Sequence, residues 1–107
     1  MRYRKASDFY LMSSGGEFVA FNRVGLRVDF DTLVFGRDSL SLICRSAVFG
    51  FQRVLCRREL RGSNSYWYAF AVVGGRLRKI YIGKDLGGPA VFDAAFRFYE
   101  MNNRKGA

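Results

Sequence analysis

The chain has 107 residues, half of them hydrophobic and 17% aromatic, and carries 18 lysines and arginines against nine aspartates and glutamates, a net charge of +9. That is enough apolar material for one small packed domain and too much for a disordered chain. The charge favours polyanions, with nucleic acid first and an anionic membrane surface second, while no apolar run approaches bilayer length, which excludes a membrane-spanning helix. The excess sits late in the chain. Residues 1–36 hold five basic and four acidic side chains, residues 37–61 six and two, and residues 62–107 seven and three.

There is no histidine, and Cys44 and Cys56 lack close metal-ligand spacing, so neither a zinc site nor histidine acid–base chemistry is expected, and no cofactor is called for. Met1-Arg2-Tyr3-Arg4-Lys5 is basic, but Asp8, Ser13, Ser14 and Glu17 interrupt any apolar stretch behind it. A secretion leader is therefore not expected, and the two thiols are read as reduced in a cytoplasmic protein.

In chain order, "GGEF" at Gly15 to Phe18 is a turn opening a strand; it lacks one acidic residue of the diguanylate cyclase signature. Asp29 and Asp31 alternate on one side of an expected strand with Arg27, which fits a solvated face better than a metal site. The N-terminal half resembles a worn copy of the C-terminal half. "VAFNRVG-LR" (Val19 to Arg27) matches "YAFAVVGGRLR" (Tyr68 to Arg78), "FGRD" (Phe35 to Asp38) matches "IGKD" (Ile82 to Asp85), and "AVF" recurs at Ala47 and Ala90. Duplication predicts strands near Val19 to Val24 and Leu26 to Val34 and a helix over Ser39 to Phe51. Gly50 and the "SLSL" alternation suit strands instead, and both readings stay open.

Arg53 to Leu60 reads as a strand, with a register that leaves open whether Arg57 or Arg58 joins the face described next. Tyr66 to Val73 and Arg76 to Gly83 form a hairpin about Gly74-Gly75. Its two-residue turn sets Val73 opposite Arg76, Phe70 opposite Lys79, Ala69 opposite Ile80 and Tyr68 opposite Tyr81. One face then carries Trp67, Ala69, Ala71, Ile80 and Ile82; the other carries Tyr66, Tyr68, Phe70, Lys79 and Tyr81. "GGP" at Gly87 to Pro89 leads into a helix from about Pro89 to Asn102, a weak signal for a phosphate at its N-terminus. Asp93, Arg97, Glu100 and Arg104 form its wet stripe, and Val91, Ala94, Ala95, Phe98 and Met101 its buried side. Alanines on both partners place that side against the Trp67 face. The tyrosine face is left either outward or packed on the N-terminal half.

Arg57 to Lys84, "RRELRGSNSYWYAFAVVGGRLRKIYIGK", resembles an element of small bacterial proteins. With its helix it is similar to the three-stranded-sheet-plus-helix DNA-binding modules of tyrosine integrase arm domains and plant ethylene-response factors. The plant family ends a sheet strand in an aromatic, an aliphatic and a glycine, matched here by Tyr81, Ile82 and Gly83. The resemblance places the DNA-contacting aromatic on Tyr81 and the basic contact on Lys79, and implies a mobile-element, phage or regulatory role. Tyr68 and Phe70 depart from it, standing where that family has charged contacts. Arg53, Arg57, Arg58 and Arg61 partly replace the arginines of its first strand.

The expected architecture is α+β: an antiparallel three-stranded sheet packed on a C-terminal helix, residues 53–107, preceded by a mostly β half, residues 1–52, in one domain. The expected function is non-catalytic binding of nucleic acid, with double-stranded DNA first, through Arg57, Arg58, Tyr68, Arg76, Arg78, Lys79, Tyr81 and Lys84. A protein interface on the same face, in an inhibitor or a homodimer, and RNA binding are the alternatives.

Overall fold

The computed structural model describes residues 9–104. The basic start from Met1 to Lys5, read above as no secretion leader, lies outside them. The hairpin is the best starting point. Gly74 and Gly75 take φ of +58° and +82°, a pair of left-handed values that glycine adopts without strain and that match the twist of the flanking strands. Strand β6 (Asn64–Val73) therefore returns as β7 (Arg76–Gly83) with Val73 opposite Arg76, Phe70 opposite Lys79 and Tyr68 opposite Tyr81, the register expected from the turn.

Ahead of the hairpin, β5 (Gly50–Arg61) pairs antiparallel with β6 on one side and with β4 (Ser39–Ser46) on the other. The sheet then continues through β1 (Phe9–Ser14), β2 (Glu17–Phe21) and the two-residue β3 (Arg27–Val28), in the order β3-β2-β1-β4-β5-β6-β7. The fold is α+β, but its sheet has seven strands rather than three and is mixed, because β1 lies parallel to β4. The division between residues 52 and 53 falls inside β5.

Two local expectations are corrected. No helix contains Ala47. Leu40, Leu42 and Cys44 are buried while Ser39, Ser41 and Ile43 face the other way, a period of two that satisfies a strand and would scatter apolar groups around a helix. Ala47 lies in the β4–β5 turn, where the Val48 N–H donates to Ser46 Oγ at 2.9 Å. The stretch Leu26 to Val34 is strand only at Arg27–Val28 and then becomes a short helix, α1 (Phe30–Val34). Asp29 is the cause: its carboxylate accepts from the Thr32 N–H at 3.0 Å and from Thr32 Oγ1 at 2.8 Å, an N-cap in place of a strand-face acid. Those bonds hold the Asp29 carboxyl below its usual value.

Helix α2 (Gly88–Arg104) packs across β5, β6 and β7 and touches β2. Trp67, Ala69, Ala71, Val73 and Ile80 meet Val91, Ala94, Ala95 and Phe98, all of them buried. Phe92 adds ring contacts to Phe18 at 5.1 Å and to Phe49 of the β4–β5 turn at 5.6 Å. At the far end the Gly74 N–H donates to Asn102 Oδ1 at 3.3 Å, tying the last turn of the helix to the hairpin. Asp93 and Arg97 pair at 2.9 Å on the exposed side. Cys44 and Cys56 are free and buried on the helix-facing side. Burial pushes both thiols up, Cys56 to about 12, so neither is a nucleophile at neutral pH. Among the described residues no helix is long and apolar enough to cross a membrane.

This packing makes two stability predictions. Ala95 is fully buried, so Ala95→Asp places an unpaired charge in the core and should abolish the cooperative thermal transition; an unchanged melting temperature would show that the helix presents another side to the sheet. A Cβ at Gly88 would stand 2.9 Å from Phe18 Cβ. Gly88→Ala should therefore lower stability by about 1–3 kcal/mol through overpacking, outweighing the gain in helix propensity, which is at most about 1 kcal/mol; urea unfolding measures the balance.

Candidate nucleic-acid interface

Because α2 lies on one side only, the other side of the sheet, from β3 to β7, has no covering element among the described residues. Cross-strand register assigns its residues. Tyr68 stands opposite Arg57 and Tyr81, Phe70 opposite Leu55 and Lys79, Ile43 opposite Arg53 and Tyr10, and Arg45 opposite Phe51 and Met12. Across the strands this face carries six cations, Arg27, Arg45, Arg53, Arg57, Arg61 and Lys79, against two carboxylates, Glu17 and Glu59.

Aromatic rings and cations are in contact here. Lys79 Nζ lies 4.3 Å from the centre of the Tyr68 ring and 5.6 Å from that of Phe70. The Arg61 guanidinium lies over Tyr68 at 5.6 Å and that of Arg45 over Phe51 at 5.1 Å. Tyr81 meets Tyr68 edge-on at 5.6 Å and Tyr66 at 6.1 Å, and remains 56% exposed. Glu59 holds two of the cations, Lys79 at 3.1 Å and Arg61 at 3.5 Å. The Lys79 hydrogen bond, with Arg61 adding to it, holds the Glu59 carboxyl below its usual value. Arg57 stands in no ion pair among the described residues. Beside this cluster Leu55, Phe70, Val72 and Leu77, with Ser41, Gln52 and Arg53 at one side, line a largely apolar depression of about 440 Å³.

The eight residues picked from sequence divide. Arg57, Tyr68, Lys79 and Tyr81 come together on the open face. The β5 register resolves the Arg57/Arg58 ambiguity, since Arg57 pairs with Tyr68 and Arg58 with the core residue Trp67. Arg58 is bound to Asp38 and lies 5.7 Å over the Trp67 ring. Arg76 and Arg78 stand opposite Val73 and Ala71, on the helix side of β7. There they place charge along an edge strand, which opposes the addition of a further strand. Lys84 follows the end of β7 in a bend. Tyr66, Tyr68 and Tyr81 lie on the side away from α2, and the described part of the N-terminal half, β1 to β3, extends the sheet sideways rather than over them. Arg45, Phe51 and Tyr10 join the face unannounced; the period-two pattern of β4 and β5 was the signal that could have found Arg45 and Phe51, while Tyr10 is brought there by the pairing of β1 with β4.

A second hollow, about 580 Å³, lies between β2, β3 and the start of α2. It contains the helix N-terminus read above as a weak phosphate signal, but Glu17, Asp29 and Asp31 share its lining with a single cation, Arg27, a balance that disfavours an anion. No family model, curated protein or solved structure matches the chain.

Glu59 generates a pH prediction. Its folded value is depressed, so its contribution is present above the unfolded carboxylate value and is lost as pH falls through the folded one. The group is exposed, so the effect is small. Melting curves between about pH 3 and pH 6 should show the wild type losing slightly more stability on acidification than Glu59→Gln; parallel curves would mean that the Lys79–Glu59 pair is not held in solution.

Proposed function

We propose that the protein binds nucleic acid without catalysis, through the open face of the sheet. The observation that carries this reading is the contact of cations with aromatic rings on a face that no other element covers among the described residues: Lys79 and Arg61 about Tyr68, with Arg57 beside them and Tyr81 exposed. Arginine and lysine neutralise phosphates and release counterions, and tyrosine offers a ring for stacking and a hydroxyl for phosphate or sugar. The net charge of +9 gives the chain a long-range attraction to such a ligand.

The apolar depression among Leu55, Phe70, Val72 and Leu77 supports a second reading, a protein interface on the same face. A second copy of this chain is disfavoured there, because six cations against two carboxylates would face their own kind. A protein partner would present acidic residues.

The two readings separate on one variant. Arg57→Ala should weaken binding to any nucleic acid irrespective of sequence and reduce the slope of log affinity against log salt by about 0.7–0.9, with unfolding unchanged because Arg57 is exposed. Salt titration followed by fluorescence anisotropy reads both quantities. Absence of polyanion binding by the wild type would remove the first reading and leave the second.

A further inference from the structure

Resting on the nucleic-acid reading, we infer that the ligand is single-stranded, with its phosphates over β5 and its bases over β6 and β7. The open face is segregated. Along β5, Arg53, Arg57 and Arg61 recur every four residues on this side, a spacing of about 13 Å between successive guanidinium positions at the rise of a strand. On β6 and β7 the same side carries Tyr66, Tyr68, Phe70, Val72, Leu77 and Tyr81, with Lys79 as the one cation.

A duplex does not suit that division. Seven strands span about 29 Å at the usual strand separation, and a major groove is about 12 Å wide, so only an edge ribbon such as β6–β7 could enter. The open side of that ribbon has two groups of the kind that reads base edges, Lys79 and Asn64; Glu59 already holds Lys79 at 3.1 Å, and Asn64 stands at the first position of β6, opposite Arg61. Rings and aliphatic side chains need base faces, which a duplex keeps stacked on one another. A single strand exposes them. Val72 and Leu77 are 62% and 68% exposed on the β6–β7 side of the apolar depression, a setting for an unstacked base, while Arg53 lines its β5 side. Tyr81, on the edge strand and edge-on to Tyr68, offers its outer face to the next base.

The test is anisotropy at one salt concentration with labelled oligo(dT), oligo(rU) and a duplex, each of about 20 nucleotides or base pairs, a length that covers the site of a small single-strand-binding fold. The two single strands separate DNA from RNA as the source of the same chemistry. The expected result is at least about tenfold tighter binding of one or both single strands than of duplex, because stacking is worth roughly that per base. Tyr81→Ala should weaken single-strand binding about fivefold or more and leave duplex binding within about twofold, and Tyr81→Phe should restore it, because the ring and not the hydroxyl stacks. Duplex bound as tightly as either single strand, or an equal loss on both ligands with Tyr81→Ala, would overturn this inference and leave the nucleic-acid reading standing. No binding of any of the three would overturn the reading on which it rests.

Discussion

The close docking of α2 governs the rest of the molecule. Alanines at 69 and 71 on the sheet and at 94 and 95 on the helix let two backbones approach, and Trp67, Val91 and Phe98 fill the space around them. At the start of the helix Gly88 sits so near Phe18 that a methyl group would not fit, so α2 also reaches β2 at the other end of the sheet. A single helix of this length, about 25 Å at the usual rise, covers one side of a seven-stranded sheet and none of the other. Among the described residues, the apolar groups that alternation sends to that other side are half-buried by their neighbours, as at Phe70 and Ile43, or exposed, as at Val72 and Leu77.

Exposed apolar groups on a sheet invite association, and the chain limits this with charge. Arginines are interleaved with aliphatic and aromatic residues along β5, and the Tyr68 and Phe70 rings have cations over them. Such contacts contribute about 0.5–1 kcal/mol each at exposed sites. They also keep long side chains from roaming, which lowers the entropy lost when a polyanion is gripped. Glu59 has an opposing effect. It orients Lys79 and Arg61 while neutralising part of the field they produce, so the strongest unpaired attraction on β5 centres on Arg57.

Two groups of cations lie off the open face. Arg58 covers Trp67 and binds Asp38 across the β4–β5 pair, while its backbone N–H donates to the Asp38 carbonyl at 2.9 Å. Arg76 and Arg78 charge the free edge of β7. Net charge alone could not separate these duties, because an arginine in a strand serves one side or the other according to a one-residue shift in register.

Local rules determined much of the C-terminal half from sequence. Gly74-Gly75 dictated a two-residue turn, the turn dictated the register of β6 and β7, and the register separated the Trp67 face from the tyrosine face. The 3.6-residue pattern dictated the buried side of α2. These depend on neighbours in the chain, where glycine conformation and side-chain periodicity suffice. What the tertiary structure alone decided depends on partners far apart in sequence. Ser39 to Ser46 is a strand because β1 and β5 flank it, and its serines suit a sheet with one open side. Arg57 rather than Arg58 faces outward because β5 must bury Val54 and Cys56 against α2. Tyr81 is exposed, and Tyr66 and Tyr68 are only half-buried, because β1 to β3 extend the sheet sideways through the parallel pairing of β1 with β4, a contact between residues more than thirty positions apart that no local pattern encodes.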